Sequence, residues 1–582
     1  MKYIDRQVNV PLCTVSTTTT LPNKTGSWKY SQPVFNDKVA PCNQQCPAGE
    51  DIEGYMYLVG RGRFEDAWHL IRQENPFPAI MGRVCFHTCE LRCNRIEHDE
   101  GISINAVERF IGDYGISKGL KPKSPPPQNG KRIAVVGSGP AGLAVAYHLR
   151  MMGYGAIIFD KDKKAGGVMR YGIPEYRLPK KVLDAEIELL SDIAVKFSME
   201  TFVGRDISFE ELEKGYDAVF FAPGVHKERE LGVKGEDMPG VIKGLDFLRA
   251  INTGKRPDIG RKVAIIGGGN TAMDCARSAI RLGAEVTVIY RRTEAEMPAN
   301  LEEIEMAKEE GVKFLFLVAP KEILGKNKIL GAKLQLMKLG EPDESGRRKP
   351  VPIKGKYQDV RCSTMILAIG EEAKVGEFPP EIEHEWGTIV TDKVGRTSRN
   401  KFFAGGDVIN IPRTVTDAIG SGKRSAVAID RFISGNYNAE KLLENYRVGK
   451  SGNIWLARLK DEILLHRNNP TNDVVEYNNI NSFYFDNRPR VARPRLPLEK
   501  RKRSFAEVVR PLPEKKIVEE ALRCFNCGVC NECGNCYLFC PDNAIKKVEG
   551  GYGYFADMDY CKGCGVCAQE CPRNAMRMDV LE

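Results

Sequence analysis

The amino-acid sequence predicts an α/β chain in which one dinucleotide-binding fold is inserted within another. A helical, cysteine-bearing region precedes this core and a small α+β cysteine domain follows it. Three observations carry the prediction. Residues 131–435 alternate short Val/Ile/Ala-rich strands with helical stretches, the pattern of parallel α/β domains. Two glycine-rich turns each stand between such a strand and a helix. Ten cysteines fall in two short runs, CFNCGVCNECGNCYLFCP (524–541) and CKGCGVCAQECP (561–572).

At 582 residues the chain is too long for a single hydrophobic core. Residues 1–35 are polar, rich in Thr and Asn, and read as an irregular arm. Residues 36–123 hold helical patterns with cysteines between them, and SPPPQNGK (124–131) marks a boundary. The first nucleotide fold is expected over 131–250, the second over 251–375, and the return to the first over 376–435. Residues 436–515 read as a partly extended linker and 516–582 as the cysteine tail. No apolar run reaches the ~18 residues of a membrane span, and MKYIDRQVNVPLC lacks the apolar stretch of a signal peptide. A cytoplasmic protein is therefore expected, where eighteen cysteines serve metal ligation better than disulfides.

The net charge of +9 is concentrated in places. NRPRVARPRLPLEKRKR (487–503) carries eight Arg or Lys against one Glu, with Pro489, Pro494 and Pro497 keeping it extended. It reads as a solvated basic linker or as a docking strip for an acidic protein partner. No aromatic-rich RNA signature accompanies it, so nucleic acid is not the expected partner.

The first nucleotide fold opens with Ile133–Val136 running into Gly137-Ser138-Gly139-Pro140-Ala141-Gly142 and a helix. Gly137 permits the tight turn, Gly139 lets the backbone approach a pyrophosphate, and Gly142 lets helix and strand pack closely. The following strand ends in Asp160, where an acid binds ribose hydroxyls. The second fold repeats the pattern with Gly267-Gly268-Gly269-Asn270-Thr271-Ala272, and its next strand ends in Arg291-Arg292. An acid there would repel a 2′-phosphate, whereas arginines attract it. NADP(H) is expected at this second site, with NAD(H) left open. NKFFAGGDVINIPRTVTDAIG (400–420) supplies the returning strand of the first fold, and brings Asp407 and a helix start after Thr414 to its ligand.

Among the N-terminal cysteines, Cys42 and Cys46 lie in PCNQQCP, and Cys85, Cys89 and Cys93 in VCFHTCELRC. Five in so compact a region favour one four-iron cluster, with zinc as the alternative. In the tail, the spacing C-x2-C-x2-C-x3-C-P of two-cluster ferredoxins, in which the fourth cysteine serves the other cluster, sorts eight cysteines into two sets. One set is Cys530, Cys533, Cys536 and Cys571; the other is Cys561, Cys564, Cys567 and Cys540. Cys524 and Cys527 are surplus, open to zinc binding, a redox dithiol or simple packing.

Taken together, CPAGEDIEGYMYLVGRGRFEDAWHLIRQENPFPAIMGRVC, GISINAVERFIGD, VGSGPAGLA, AGGVMRYGIPEYRLPK, IGGGNTAMDCA, YRR and FFAGGD resemble the small subunit of glutamate synthase and its relatives. These include the large subunit of NADH-dependent ferredoxin:NADP oxidoreductases and the N-terminal half of dihydropyrimidine dehydrogenase. The tail resembles ferredoxin domains appended to some members, among them the iron–sulfur flavoprotein of dissimilatory sulfite reductase systems. The resemblance implies a glutathione reductase-like core with FAD at Gly137–Gly142, Asp160, Gly167, Val168, Arg177, Val203, Gly370, Gly406, Asp407, Thr414 and Val415. It implies NADP(H) at Gly267–Ala272 and at Arg291 and Arg292. It implies that Cys46 joins Cys85, Cys89 and Cys93 in one cluster, three [4Fe-4S] clusters in all. Glu108 matches a non-cysteine ligand of a second N-terminal cluster found in some members. The two further cysteines of that cluster are missing upstream of Cys42, so Glu108 is expected as a helix-surface acid and Cys42 as a leftover thiol or alternative ligand.

The resemblance further implies an NADPH-oxidising enzyme that hands single electrons from flavin to clusters and on to a redox protein, or runs in reverse. Sulfite reductase, a 2-oxoacid oxidoreductase or ferredoxin would be such a partner, and a homodimer is left open. The alternative is a non-catalytic relay subunit inside a permanent complex.

Overall fold

The computed structural model describes residue 22 and residues 24–344, 346–456 and 471–581. Cys13 and most of the N-terminal arm lie outside the described residues. The chain divides into two compact units: Pro41–Leu464 with Arg488–Cys524, and Met1–Ala40 with Leu465–Asn487 and Phe525–Glu582. Among the described residues no helix is long and apolar enough to cross a membrane.

In the larger unit, one five-stranded sheet runs in the order Phe402–Ala404, Ala218–Phe221, Arg132–Val136, Gly155–Phe159, Lys196–Ser198. All its pairs are parallel. The central strand is buried along Ile133–Val136, as a parallel sheet covered on both faces demands. The edge strand Phe402–Ala404 completes this sheet from the far side of the inserted fold. The second sheet runs Lys313–Phe316, Glu285–Tyr290, Lys262–Ile266, Thr364–Leu367, Val241–Lys243, again all parallel. A three-stranded antiparallel sheet, Val318–Gly325, Ile329–Pro342 and Arg348–Arg361, branches from it in sequence. The expected division at residue 250 moves earlier, because Val241–Lys243 already belongs to the second sheet. A three-residue strand is too short to register as a pattern along the sequence.

The helical region packs Ile52–Val59, Phe64–Glu74, Pro78–Val84 and Ile104–Lys118. Pro78–Val84 and Ile104–Lys118 cross closely: a Cβ on Gly112 would lie 2.2 Å from the Ala79 nitrogen. That crossing fixes the end of Pro78–Val84, which Cys85 caps.

The arginine strip is not a free docking surface. Arg490 pairs with Glu90, and Arg493 with Glu302 at 2.5 Å; Arg495 reaches Glu302 at 3.0 Å and Glu309 at 3.3 Å, and Arg501 reaches Glu309 at 2.8 Å. The segment behaves as a strap: Arg83 and Arg109 clasp its Glu507 at 2.7 and 2.9 Å, and Val508 donates to the Tyr176 carbonyl at 2.9 Å. Charge counted along the sequence cannot reveal acids contributed by distant segments, and three of these pair four of its arginines.

The smaller unit carries two short antiparallel pairs, Ile545–Lys547 with Tyr554–Ala556 and Ser31–Phe35 with Met576–Val580. The end of the arm, expected to be irregular, is therefore a strand. Met576–Val580 would otherwise expose an unpaired edge, and the arm satisfies it.

Candidate functional site

One cavity in the larger unit collects residues from both nucleotide folds. Gly137, Gly139, Pro140 and Ala141 line it, with Asp160, Gly167, Val168, Arg177 and Val203; Gly406, Asp407, Thr414 and Val415 return to it, and Asn270 and Thr271 reach it from the second fold. In the first loop Gly137 has φ +99°, and a Cβ there would meet the Ala222 oxygen at 2.2 Å. A Cβ on Gly142 would lie 1.9 Å from the Gly137 oxygen, whereas one on Gly139 would meet nothing within 4 Å. The second loop repeats this: Gly267 has φ +140° and presses on the Ala368 oxygen, Gly269 faces open space, and Ala272 is fully buried. Each loop thus leaves backbone room at its middle glycine, directly before helices Pro140–Met151 and Asn270–Arg281. Helix N-termini with room for close approach fit a pyrophosphate. Gly268 instead lies against the Tyr290 ring, where a Cβ would come within 2.6 Å.

Ser138 is buried behind the cavity wall and donates to one Asp160 oxygen through both its N–H (2.7 Å) and its hydroxyl (2.6 Å). The Asp162 N–H donates to the other oxygen at 2.8 Å. Three donors thus fix the orientation of the Asp160 carboxylate at the cavity wall. Thr414 caps helix Val415–Ile433 by accepting from the Asp417 N–H at 3.0 Å. Burial pushes the Asp407 carboxyl up to about 6 against the opposing pull of Arg413. Arg177 lines the cavity while its guanidinium grips Asp274 through two bonds of 3.0 and 2.8 Å and Glu303 at 3.1 Å. It therefore ties the first fold to helices of the second. Gly370 lies outside the cavity lining, in the left-handed region, and its carbonyl accepts from the Arg229 N–H at 3.1 Å.

The two arginines that end strand Glu285–Tyr290 part company. Arg292 is buried, pairs with Asp343 at 2.5 Å and donates to the Arg348 carbonyl at 2.8 Å. It latches the strand to the turn of the antiparallel sheet. Arg291 is exposed. The sequence suggests a matched pair; the fold leaves one guanidinium facing outward.

Cys46 follows the short helix Pro41–Gln45, Cys85 caps Pro78–Val84, and Cys89 and Cys93 flank the turn Glu90–Arg92. Cys85, Cys46 and Cys42 all lie within electrostatic reach of Cys89. Burial pushes the Cys46, Cys85 and Cys89 thiols up, Cys85 to about 12, so none of the three is a ready thiolate on its own. A bound metal's positive charge is what ionises such sulfurs. Among the described residues no three metal-ligating side chains converge tightly enough to hold a single metal ion, as zinc–sulfur bonds of about 2.3 Å demand. Glu108 is not the surface acid expected of it. It is buried, and Asn75 bridges it (3.0 Å) to Glu50 (2.8 Å). Burial, then the neighbouring Glu50 carboxyl, raises it well above the usual carboxylate range. Its place on the inner face of Ile104–Lys118 follows from tertiary packing, not from its flanking sequence.

Sequence reasoning missed how close these cysteines come to the cavity. Val84 and Phe86, the neighbours of Cys85, line it. Thr416, in the first turn of the helix that Thr414 caps, donates to the Cys85 sulfur at 3.1 Å. Adjacency to a candidate ligand was the only sequence signal these residues carried.

In the smaller unit, Cys530, Cys533, Cys536 and Cys571 line one cavity with Phe35, Tyr554 and Met576. Cys540, Cys561, Cys564 and Cys567 line another with Pro33 and Ile545. The two are built alike: the Ala544 N–H points at the Cys540 sulfur at 3.2 Å and the Ala575 N–H at the Cys571 sulfur at 3.3 Å. Such N–H···S contacts are of the kind that tunes an iron–sulfur group.

Comparison with known proteins accords with this geometry. The pyridine nucleotide-disulphide oxidoreductase family matches residues 131–422, dihydropyrimidine dehydrogenase domain II with its 4Fe-4S cluster matches 32–120, and the 4Fe-4S dicluster domain matches 529–575. The chain is 38% identical over 517 residues to the NADP(+)-dependent formate dehydrogenase subunit beta of Moorella thermoacetica, covering 84% of this chain and 70% of that one. It is 37% identical over 531 residues to the NADPH-Fe(3+) oxidoreductase subunit beta of Geobacter sulfurreducens, covering 85% and 76%. It is 35% identical over 416 residues to the glutamate synthase [NADPH] small chain of Escherichia coli, covering 67% and 88%. A flavin held in the cavity would supply the exchange between two-electron hydride and single electrons; the residues lining it would bind and orient such a group, with Val84 and Phe86 bringing the Cys85 segment to the same cavity. The chain belongs to the pyridine nucleotide-disulphide oxidoreductase family, in the group that includes glutamate synthase small chains, and is an NAD(P)H-dependent flavin and iron–sulfur oxidoreductase.

Proposed function

We propose that this chain is the NADPH-oxidising, electron-input subunit of a cytoplasmic redox enzyme. NADPH gives hydride to FAD, and three [4Fe-4S] clusters carry single electrons to a partner protein. The observation that carries this reading is the meeting of cysteines and nucleotide cavity: Val84 and Phe86 line the cavity, and Thr416 joins its capped helix to Cys85. The proposed ligand sets are Cys46, Cys85, Cys89 and Cys93; Cys530, Cys533, Cys536 and Cys571; and Cys540, Cys561, Cys564 and Cys567. Arg291 takes the 2′-phosphate, and Arg292 holds the neighbouring turn. The relatives named as subunits favour a lasting complex over a free-standing enzyme. The partner is then a redox enzyme of the formate dehydrogenase, sulfite reductase or 2-oxoacid oxidoreductase kind, or ferredoxin itself.

The test is anaerobic assay of the purified chain with NADPH and NADH, using a viologen dye and candidate partners, together with iron analysis. About twelve iron atoms per chain are expected from three four-iron sites. Oxidation of NADH alone would overturn the role given to Arg291.

A further inference from the structure

The hydroxyl of Tyr55 is buried and unpaired. Tyr55 lies on helix Ile52–Val59, a few residues beyond Cys46, and is wholly buried. Its hydroxyl is among the buried polar atoms that find no hydrogen-bond partner. Four groups lie within electrostatic reach of it: Glu50, Glu108, Cys89 and Cys46. The two carboxyl groups are not its partners, for each accepts instead from the Asn75 amide, whose own oxygen takes the Phe77 N–H at 3.0 Å. Among the described residues the buried hydroxyl therefore has no hydrogen-bond partner, and two of the proposed ligand cysteines lie within its electrostatic reach. Buried phenols usually find a hydrogen-bond partner.

We propose that Tyr55 donates this hydrogen bond to the iron–sulfur group held by Cys46 and Cys89, and is a positioning residue that raises its reduction potential. This rests on the reading that these cysteines hold a cluster. A donor at a cluster sulfur favours the reduced state, which carries one more negative charge. The effect falls on the cluster site that meets the flavin cavity, so Tyr55 would make the first electron transfer out of the cavity more favourable.

The test uses the full chain, purified anaerobically, as wild type and as Tyr55→Phe, which keeps the ring and removes only the hydroxyl. Redox titration is followed by electron paramagnetic resonance, with the N-terminal signal assigned by its loss in Cys89→Ser. The expected result is a lower midpoint potential for that signal in Tyr55→Phe, with the signals of the C-terminal clusters unmoved. Wild type should also show an exchangeable-proton coupling at the reduced N-terminal cluster that disappears in heavy water and is absent from Tyr55→Phe. An unchanged potential overturns the inference, since the hydroxyl then bonds to water or to a carboxyl group. Should Tyr55→Phe fail to retain iron, Thr416→Val decides, since it removes the other hydroxyl donor, the one on Cys85; loss of every hydroxyl coupling in that variant overturns the inference. Wild type without N-terminal iron would overturn the cluster reading itself, a different result.

Discussion

The two dinucleotide loops are built alike and finished differently. In both, the first glycine presses on a carbonyl of the neighbouring crossing and the middle glycine faces open space. They diverge one strand later. The first strand ends in Asp160, aimed by Ser138 and Asp162; the second ends in Arg291 facing outward and Arg292 turned inward. The loops share one geometry, and in the function proposed above the strand end selects the dinucleotide. The sharpest test fills one cradle at a time. Gly139 and Gly269 have negative φ and extended backbone, so a side chain at either causes no strain of its own. Gly139→Leu should strip the chain of flavin. Gly269→Leu should keep the flavin and lose NADPH oxidation by about 100-fold or more, the cost of excluding a ligand from its cradle. Visible absorbance and dye reduction check both. If either variant loses both ligands, the two loops do not act separately.

The next test separates the two arginines. Arg291→Ala should lower kcat/KM for NADPH by about 10- to 100-fold, the worth of a charge-assisted bond to phosphate, and leave NADH use nearly unchanged. Arg292→Ala should instead destabilise the fold by roughly 1–3 kcal/mol by removing the buried guanidinium's bonds to Asp343 and to the Arg348 carbonyl, with a smaller change in the NADPH:NADH ratio. Equal effects on the ratio would mean that the arginines act as the pair the sequence suggests.

Asp407 distinguishes the first fold further. Its folded pKa of about 6 lies above its unfolded value near 3.8, so its ionised form is disfavoured in the folded, ligand-free chain. That contribution to stability is complete below about pH 4 and is lost as pH rises through about 6. Asp407→Asn should therefore stabilise the flavin-free chain at pH 7 by about 1–2 kcal/mol, with the gain fading as pH falls through about 6 and gone by about pH 4, while flavin affinity falls. Thermal melts across pH 4–8 read the first effect and flavin titration the second.

Legibility in the sequence followed how local each feature is. The tail cysteines and both glycine loops could be read from spacing alone, because each set of chemical groups lies within a few residues of chain. The cavities of the smaller unit gather Cys571 with 530–536 and Cys540 with 561–567, the crossing that the spacing suggests. The N-terminal site was only half legible. Its cysteines stood out, but Thr416, Phe86, Tyr55 and Asn75 reach it through helix crossings that no short motif records. Glu108 and the arginine strip were misjudged for the same reason. A residue's burial and its charge partners come from segments hundreds of positions away, as with Arg493 and Glu302.

The two folds also differ in what holds them, and this carries the smallest expected effect. The first is closed by a strand of its own sheet, Phe402–Ala404. The second is additionally tethered by the arginine strap, through Glu302 and Glu309 on helix Leu301–Glu309. Burial opposes ionisation of Glu302, yet Arg493 and Arg495 hold its carboxyl below the usual range. A carboxyl so depressed stabilises the fold above its unfolded pKa, and the gain disappears as pH falls through the folded value. Glu302→Gln should therefore cost about 1 kcal/mol at pH 7, since partly exposed pairs are screened and only a network lifts them above the surface norm. The loss should shrink in high salt and vanish in acid. Flavin content should not change, because Glu302 lies on the second fold and the strap's bond to the first, Val508 to the Tyr176 carbonyl, does not involve it. If flavin were lost as well, the ion pairs at Glu302 would support both folds, and the distinction between a self-closed and a tethered half would fail.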